Sequence, residues 1–403
     1  MDASRVNRLL EPEGLALLHS LPPYDESQVL PLTGTLRAQG HDPALISAAL
    51  TQSALRQRGA TKFGEAAARM FFTPDGLEQA TRPQIARMHA DRFVAAGARE
   101  VYDLGCGIGA DARAFAQAGL RVHAIERDPA TAAIARANLA EFPDAVVEVA
   151  DAEAIAIPDD AAVWLDPARR TTGVADITGR TRRTFRLDQL QPSWDFVTAL
   201  GASGRPAGAK LSPAFPIAAL APGASAVWTS FAGEVLECAV WFGPAADEHA
   251  VTACMLKGEK VTVVRARSSA QARLVDGTGD LRRYLYEADK AVVRAGLAAT
   301  LADDVDGFEL SPGLGHATSD HERDVPYARR YEITDVLPFH PKALRHWARD
   351  QGLGGITFKK RGVTFDDARL IKQLKLPGRG PRAIVLVTRV GDETAALVLE
   401  HSG

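Results

Sequence analysis

Apolar positions recur at helical spacing in Arg8 to Ser20 and in Pro43 to Gln57, interrupted by Pro22-Pro23 and Gly40, so residues 1–72 read as a small helical N-terminal region. From Pro74 the pattern changes. A helix predicted over Leu77 to Ala96 ends near Gly97, and short apolar runs then alternate with helical ones. Glu100 to Leu104, Leu120 to Ile125, Val146 to Val149 and Ala161 to Leu165 read as strands, and Ala110 to Ala118 and Ala130 to Glu141 as helices. The punctuation agrees: Gly119 stops the first of these helices, and Asp128-Pro129 gives the second a cap and a first-turn proline. Strands alternating with helices predict a mostly parallel sheet with helices on both faces, and ligands of such sheets sit at the carboxyl ends of the strands.

Ala226 to Phe231 and Val235 to Phe242 flank Ala232-Gly233-Glu234, a predicted hairpin that closes the sheet as its antiparallel feature. The sheet domain is expected over residues 73–250. Residues 251–403 are expected to form a separate α+β domain, with strands at Val261 to Ala266, Arg330 to Ile333, Ile356 to Lys360, Ala383 to Thr388 and Thr394 to Leu399. Its helices are predicted over Leu281 to Leu301, from Pro341, and from a capping box at Thr364-Phe-Asp-Asp367.

Composition adds limits rather than identity. The 403 residues, 46% hydrophobic and 24% charged, suffice for two or three domains. Cys106, Cys238 and Cys254 are far apart and, like His316, His340 and His346, show no metal-ligand spacing, so neither a disulfide framework nor a metal site is expected. The N-terminus lacks an apolar signal core and no stretch approaches the roughly 20 apolar residues of a membrane span, so a cytoplasmic protein without a membrane partner is expected.

The chemistry gathers after the first strand. In Asp103-Leu-Gly-Cys-Gly-Ile-Gly109 the glycines Gly105, Gly107 and Gly109 lie between a strand and a helix, where they allow a tight turn and close approach of a ligand to backbone amides. Gly105, Gly107 and Ala110 also satisfy G-x-G-x-x-A, so a dinucleotide enzyme competes. The acids discriminate: a pyrophosphate disfavours a nearby carboxylate, whereas Asp103 suits a ligand carrying an amine and a sulfonium. Glu126, ending the second strand, can accept both ribose hydroxyls, and Asp151, ending the third, can accept from an adenine amine while Ala152 offers its amide. Three strand-end acids in successive units favour S-adenosylmethionine as the cofactor.

These motifs, with Asp166-Pro167 ending the fourth strand, resemble those of class I S-adenosylmethionine-dependent methyltransferases, a Rossmann-like fold with a seven-stranded sheet. In amine-methylating relatives the corresponding loop reads Asp/Asn-Pro-Pro followed by an aromatic residue, and its first side chain and next carbonyl orient the target nitrogen. Asp166 and Pro167 fit that pattern and are implied to be catalytic; Ala168 and Arg169 depart from it, and Arg169 is expected to hold the substrate in place of the aromatic ring. The whole chain resembles a bacterial group of RNA methyltransferase-like proteins with a C-terminal THUMP-like domain, through Lys62-Phe63, Leu77-Glu-Gln-Ala-Thr81, Asp166-Pro-Ala-Arg-Arg170, Lys210-Leu-Ser-Pro213 and Lys359-Lys-Arg-Gly362. By the same resemblance Gln79, Thr81 and Lys210 are candidate pocket residues.

The net charge of −3 conceals two basic stretches. Lys359 to Arg382 holds eight basic residues against two acidic ones, and Asp166 to Arg186 holds six against two. Arg169, Arg170, Lys359, Lys360 and Arg361 are therefore candidate contacts for an RNA partner. The reading is a methyltransferase acting on a base nitrogen of RNA; a methyltransferase of small molecules or proteins, and a non-catalytic RNA-binding protein that keeps the pocket, stay open on sequence grounds.

Overall fold

The structure, a computed structural model, describes residues 3–169, 186–266 and 273–401. The chain divides into two compact units: one of residues 1–211, 219–224 and 239–248, the other of 212–218, 225–238 and 249–403.

The first unit opens with α1 (Ala3–Leu10), α2 (Pro12–Ser20), α3 (Val29–Ala38) and α4 (Pro43–Phe63). Asp42 caps α4 by accepting from the backbone N–H groups of Ala44 and Leu45, and Pro43 opens its first turn. Leu9, Leu17, Leu45, Ile46 and Phe72 bury the apolar faces in one core. Two helices, α5 (Pro74–Gln79) and α6 (Pro83–Ala95), replace the single one predicted over Leu77 to Ala96. Pro83 explains the break: it holds Arg82 extended, at φ −66° and ψ 144°.

Then follow β1 (Glu100–Leu104), α7 (Ala110–Gln117), β2 (Arg121–Glu126), α8 (Pro129–Asn138), β3 (Ala145–Val149) and β4 (Ala162–Leu165). β5 (Ala168–Arg169) and β6 (Leu190–Gln191) form a small antiparallel pair, and α9 (Trp194–Ala202) leads into β7 (Ala207–Leu211). β1 to β4 and β7 pair in parallel in the order β3-β2-β1-β4-β7. Trp164 on β4, His89 and Phe93 on α6, Phe115 on α7 and Trp241 meet ring to ring on one face of this sheet. Trp164 and Phe115 thus lie in the core.

β8 (Ser225–Phe231) and β9 (Glu234–Phe242) are the predicted hairpin, turned by Ala232 at φ 51° and Gly233 at φ 88°. β9 belongs to both units: Ala239 to Phe242 lie in the first, where β9 neighbours β7, and Glu234 to Cys238 in the second, where it neighbours β8. In the second unit β10 (Val251–Lys257) adds in parallel to β8 and β11 (Lys260–Arg265) in antiparallel to β10. Sheet pairing therefore runs past residue 250, where the sequence suggested a border.

The rest of the second unit comprises β12 (Tyr284–Ala288), α10 (Lys290–Arg294), α11 (Ala298–Asp304), β13 (Phe308–Glu309), β14 (His316–Ser319), β15 (Ala328–Pro338), α12 (Pro341–Asp350), β16 (Gly355–Arg361), α13 (Asp367–Leu374), β17 (Arg382–Val390) and β18 (Glu393–His401). They build a sheet ordered β13-β14-β12-β15-β18-β17-β16, and α12 and α13 pack over Val385, Val387, Ala396 and Val398 on one of its faces. The helix predicted over Leu281 to Leu301 is corrected to strand β12 and two short helices. β12 is buried on both faces, so it shows no alternation to separate it from a buried helix, while Asp289 caps α10 and Gly296, at φ 69°, ends it. α13 is capped by Asp366, which accepts from the Arg369 N–H, two residues later than the Thr364 cap of the predicted box.

Candidate active site

β1 ends in a turn that only glycine accommodates easily: Gly105, Gly107 and Gly109 stand at φ 90°, 57° and 82°. A side chain at Gly105 would come within 3.4 Å of the Asp166 carbonyl at the end of β4. Glu126 fixes the turn from β2, with Oε2 accepting from the Gly107 N–H at 3.1 Å and Oε1 from the Asp128 N–H at 2.9 Å. Burial raises the Glu126 carboxyl, against the pull of those two N–H groups. Asn138 on α8 holds the turn from another side: its Nδ2 donates to the carbonyls of Ile108 at 2.8 Å and Phe71 at 2.9 Å, and its Oδ1 accepts from the Phe71 N–H.

A cavity of about 190 Å³ opens over these strand ends. The structure brings Gly105, Gly107, Glu126, Asp151, Ala152 and Asp166 together on its wall, together with Gln79, Thr81 and Lys210. Asp151 also accepts from the Glu153 N–H at 3.0 Å, so it caps the short turn that presents Ala152. Gly109 instead opens α7 and Pro167 is buried; neither lines the cavity. Of Arg169 only the backbone is described, paired with Leu190, and Arg170, Arg180, Arg182 and Arg183 lie outside the described residues.

Asp103 is placed behind the wall. It is 1% exposed, and among the described residues neither of its carboxylate oxygens receives a hydrogen bond. Burial first, and then the charges of Asp111 and Asp166, push its carboxyl well above the ordinary range. A buried acceptor of this kind costs stability unless a donor reaches it, and the ammonium of an amino-acid-like ligand is such a donor. Cys106, also on the wall, has a thiol raised far above its usual value by burial, so it is a neutral lining group and not a nucleophile.

The same cavity is bordered by a network that joins Gln79, Thr81, Lys210 and Asp166, all expected from the sequence, to Asp111 and His89, which were not. Lys210 on β7 forms an ion pair with Asp166 and donates to Thr81 Oγ1 at 3.2 Å and to the Gln79 carbonyl at 3.4 Å. Thr81 donates to Asp111 Oδ2 at 2.6 Å, and His89 Nδ1 donates to Asp111 Oδ1 at 2.9 Å. Burial alone raises the Asp111 carboxyl, but the His89 and Thr81 hydrogen bonds and the Lys210 charge together hold it below its usual value. The one sequence signal for Asp111 is an acid in the first turn of α7 on a buried face. Nearby, Lys62 caps the end of α5 through the carbonyls of Leu77 at 2.8 Å and Glu78 at 3.0 Å, and burial together with the charges of Lys210 and Arg82 lowers its ammonium to about 8.

In the second unit the first three cations of the basic run are engaged within the chain. Lys359 pairs with Glu287 and donates to Tyr331 Oη at 2.8 Å, Lys360 pairs with Asp367 at 2.9 Å, and Arg361 donates to the Leu314 carbonyl at 3.0 Å with Glu287 at 3.8 Å. Three of the cations expected to meet RNA are thus partly neutralised by their own chain. Burial opposes the ionised form of Glu287, but His316 and Lys359 outweigh it and hold the carboxyl far below its usual range.

The cavity's lining is compatible with S-adenosylmethionine: a glycine turn, the Glu126 and Asp151 carboxylates and Ala152 on the wall, with the buried, unpartnered carboxylate of Asp103 close by. Comparisons agree. Residues 101–166 match a methyltransferase domain family, residues 328–401 a THUMP domain-like family, and residues 2–59 a domain family of unknown function. The chain is 29% identical over 353 residues to an uncharacterized S-adenosylmethionine-dependent methyltransferase of Mycobacterium tuberculosis, in strains CDC 1551 and H37Rv, a span covering 84% of this chain and 91% of the relative. It shares its fold with a crystal structure from Porphyromonas gingivalis described as a methyltransferase, at TM-score 0.69 and 19% identity, covering 95% of this chain and all of that one. Site geometry and relatives converge: the chain is a Rossmann-like S-adenosylmethionine-dependent methyltransferase with a THUMP-like domain at its C-terminus.

Proposed function

We propose that this enzyme methylates a nitrogen of an RNA base, with Asp166 orienting the acceptor. The observation that carries the reading is the position of Asp166: it ends β4, lines the cavity, and its carbonyl lies beside Gly105 in the cofactor turn. The bound S-adenosylmethionine supplies a methyl group already activated on a sulfonium. The chain therefore needs to position and desolvate rather than form a covalent intermediate. Asp166 accepts a hydrogen bond from the acceptor N–H, turning the nitrogen lone pair toward the methyl carbon. S-adenosylmethionine held in the cavity would give up its methyl group to that nitrogen and leave as S-adenosylhomocysteine, and Asp166 takes the proton the nitrogen loses.

RNA is supported by the THUMP-like match and by charge in the second unit. Lys342, Arg345 and Arg349 on α12, Arg369 and Lys372 on α13, and Lys375 and Arg379 beyond it form no ion pair among the described residues. These, rather than Lys359 to Arg361, are the cations left for phosphates. The test compares modified nucleosides by mass spectrometry in RNA from parent and gene-deleted strains. One methylated nucleoside should be missing after deletion and restored in vitro by the wild-type protein, but not by Asp166→Ala, which still binds S-adenosylhomocysteine. Identical nucleoside profiles, or a fully active Asp166→Ala, overturn the proposal.

A further inference from the structure

We infer that Lys210 is the positioning residue of the methyl-transfer site: it fixes the direction of the Asp166 carboxylate and is itself braced by Thr81, Asp111 and His89. The inference rests on the reading of Asp166 as the acceptor-orienting group.

The argument is one of donor counting. An ammonium offers three N–H groups, and among the described residues Asp166 Oδ2, Thr81 Oγ1 and the Gln79 carbonyl lie against Lys210. Thr81 spends its own hydroxyl proton on Asp111, so its lone pairs are turned toward Lys210. Asp111 cannot rotate away because its second oxygen is held by His89, and the His89 ring lies 4.3 Å from that of Trp164. Trp164 and Asp166 stand two residues apart on and just after β4. The network therefore leaves β4 at Asp166, passes through β7, the link before α6, α7 and α6, and returns to β4 at Trp164.

Exposure gives the arrangement a direction. Both groups line the cavity, and the Lys210 side chain is 13% exposed against 33% for Asp166, so the cation is the more enclosed of the pair. A surface ion pair has no such polarity. A more enclosed supporting group keeps a reactive one in a single geometry, and a displacement of about 1 Å at a reacting group costs roughly a hundredfold in rate. Lys210 also opposes the nearby acids. Asp103 and Asp166 disfavour each other's charge, and Lys210 favours the charged forms of Asp103 and Asp111 as well as pairing with Asp166.

Lys210→Met, Lys210→Arg, Thr81→Val and Asp166→Ala in the full-length protein test this. Each is assayed for S-adenosylhomocysteine affinity by calorimetry and for methyl transfer from labelled donor to RNA of the gene-deleted strain, across pH. Lys210→Met should bind S-adenosylhomocysteine within about threefold of wild type yet lose about a hundredfold in kcat. Its acid limb should move up by about one pH unit or more, because a carboxylate deprived of an adjacent cation protonates more easily. Lys210→Arg should recover part of the loss, and Thr81→Val, which keeps the ion pair, should fall between. If Asp166→Ala is inactive while Lys210→Met keeps wild-type kcat and pH profile, the inference fails and the Asp166 reading stands. If S-adenosylhomocysteine binding falls in step with kcat, Lys210 serves the cofactor, and the inference is again overturned. An active Asp166→Ala removes the Asp166 reading itself. Should Lys210→Met not fold, the Thr81→Val pH profile decides: an unmoved acid limb overturns the brace.

Discussion

Replacing Asp103 with leucine should make the ligand-free protein more stable and the cofactor site worse. The two side chains have the same number of heavy atoms, and the wild-type carboxylate sits in the interior with both oxygens unpartnered among the described residues. Removing a buried, unsatisfied polar group recovers about 1–3 kcal/mol. At about 2–4 °C per kcal/mol for a unit of this size, the melting temperature should rise by about 2–12 °C. The sign with pH follows from the raised carboxyl. The folded chain holds a proton that the unfolded chain releases near its ordinary value, so the Asp103 contribution is present at low pH and is lost as pH rises through the raised folded value. The stability gain of Asp103→Leu should therefore grow as pH rises above the ordinary carboxyl range and shrink toward pH 4. Binding moves oppositely. Loss of a hydrogen bond to a charged group costs about 1.5–3 kcal/mol, which at about 1.4 kcal/mol per decade weakens S-adenosylhomocysteine by about 10- to 150-fold. Thermal melts with and without S-adenosylhomocysteine at several pH values, with calorimetry, read both effects. An Asp103→Leu protein that melts below wild type without ligand, or that binds S-adenosylhomocysteine with wild-type affinity, refutes the reasoning.

Two other substitutions test the frame around the sites. Asn138→Ala strands the Phe71 N–H and the Phe71 and Ile108 carbonyls, all held by one buried amide, and should cost about 2–4 kcal/mol and weaken S-adenosylhomocysteine together with stability, since the same side chain holds the cofactor turn; denaturant melts and calorimetry check it, and loss of stability with unchanged affinity argues against that coupling. Lys359→Met leaves Glu287 with Arg361 at 3.8 Å and His316 at 4.0 Å, and should cost the second unit about 1–3 kcal/mol at neutral pH. Because Glu287 is depressed in the folded chain, its stabilisation is present above its ordinary value near 4.5 and fades as pH falls below that, so wild type and Lys359→Met should converge in acid. RNA affinity per folded molecule should stay unchanged in Lys359→Met, measured by filter binding at neutral pH; a large drop restores Lys359 as a contact.

The cofactor end of the site was legible because its information is local. Asp103, Gly105, Gly107, Glu126, Asp151 and Ala152 each owe their place to a strand end and the turn after it, and strand ends can be read from apolar runs and glycines. The methyl end was less legible for the converse reason. Thr81 meets Asp111 across 30 residues and Lys210 across 129, so no window of sequence contains the network. The basic run misled through the same blindness to distance: Lys359 looks free beside Lys360 and Arg361, but its counter-charge, Glu287, lies 72 residues earlier on another strand. The missed strand β12 has the same origin, since only pairing with β14 and β15 separates a doubly buried strand from a buried helix.

That contrast bears on how the enzyme divides its work. Cofactor binding draws on backbone turns and strand-end acids that any Rossmann-like methyltransferase sheet can present, so it tolerates change elsewhere in the chain. Acceptor choice depends on what surrounds Asp166, and here that surrounding is a cation on β7 held by the segment linking α5 to α6. If Lys210 positions Asp166 as proposed, an Asp-Pro followed by Ala168 rather than by proline and an aromatic ring has its carboxylate held from β7. Substitutions at Gln79, Thr81 or Lys210 should accordingly alter which nitrogen is methylated, or how fast, well before they alter affinity for S-adenosylhomocysteine.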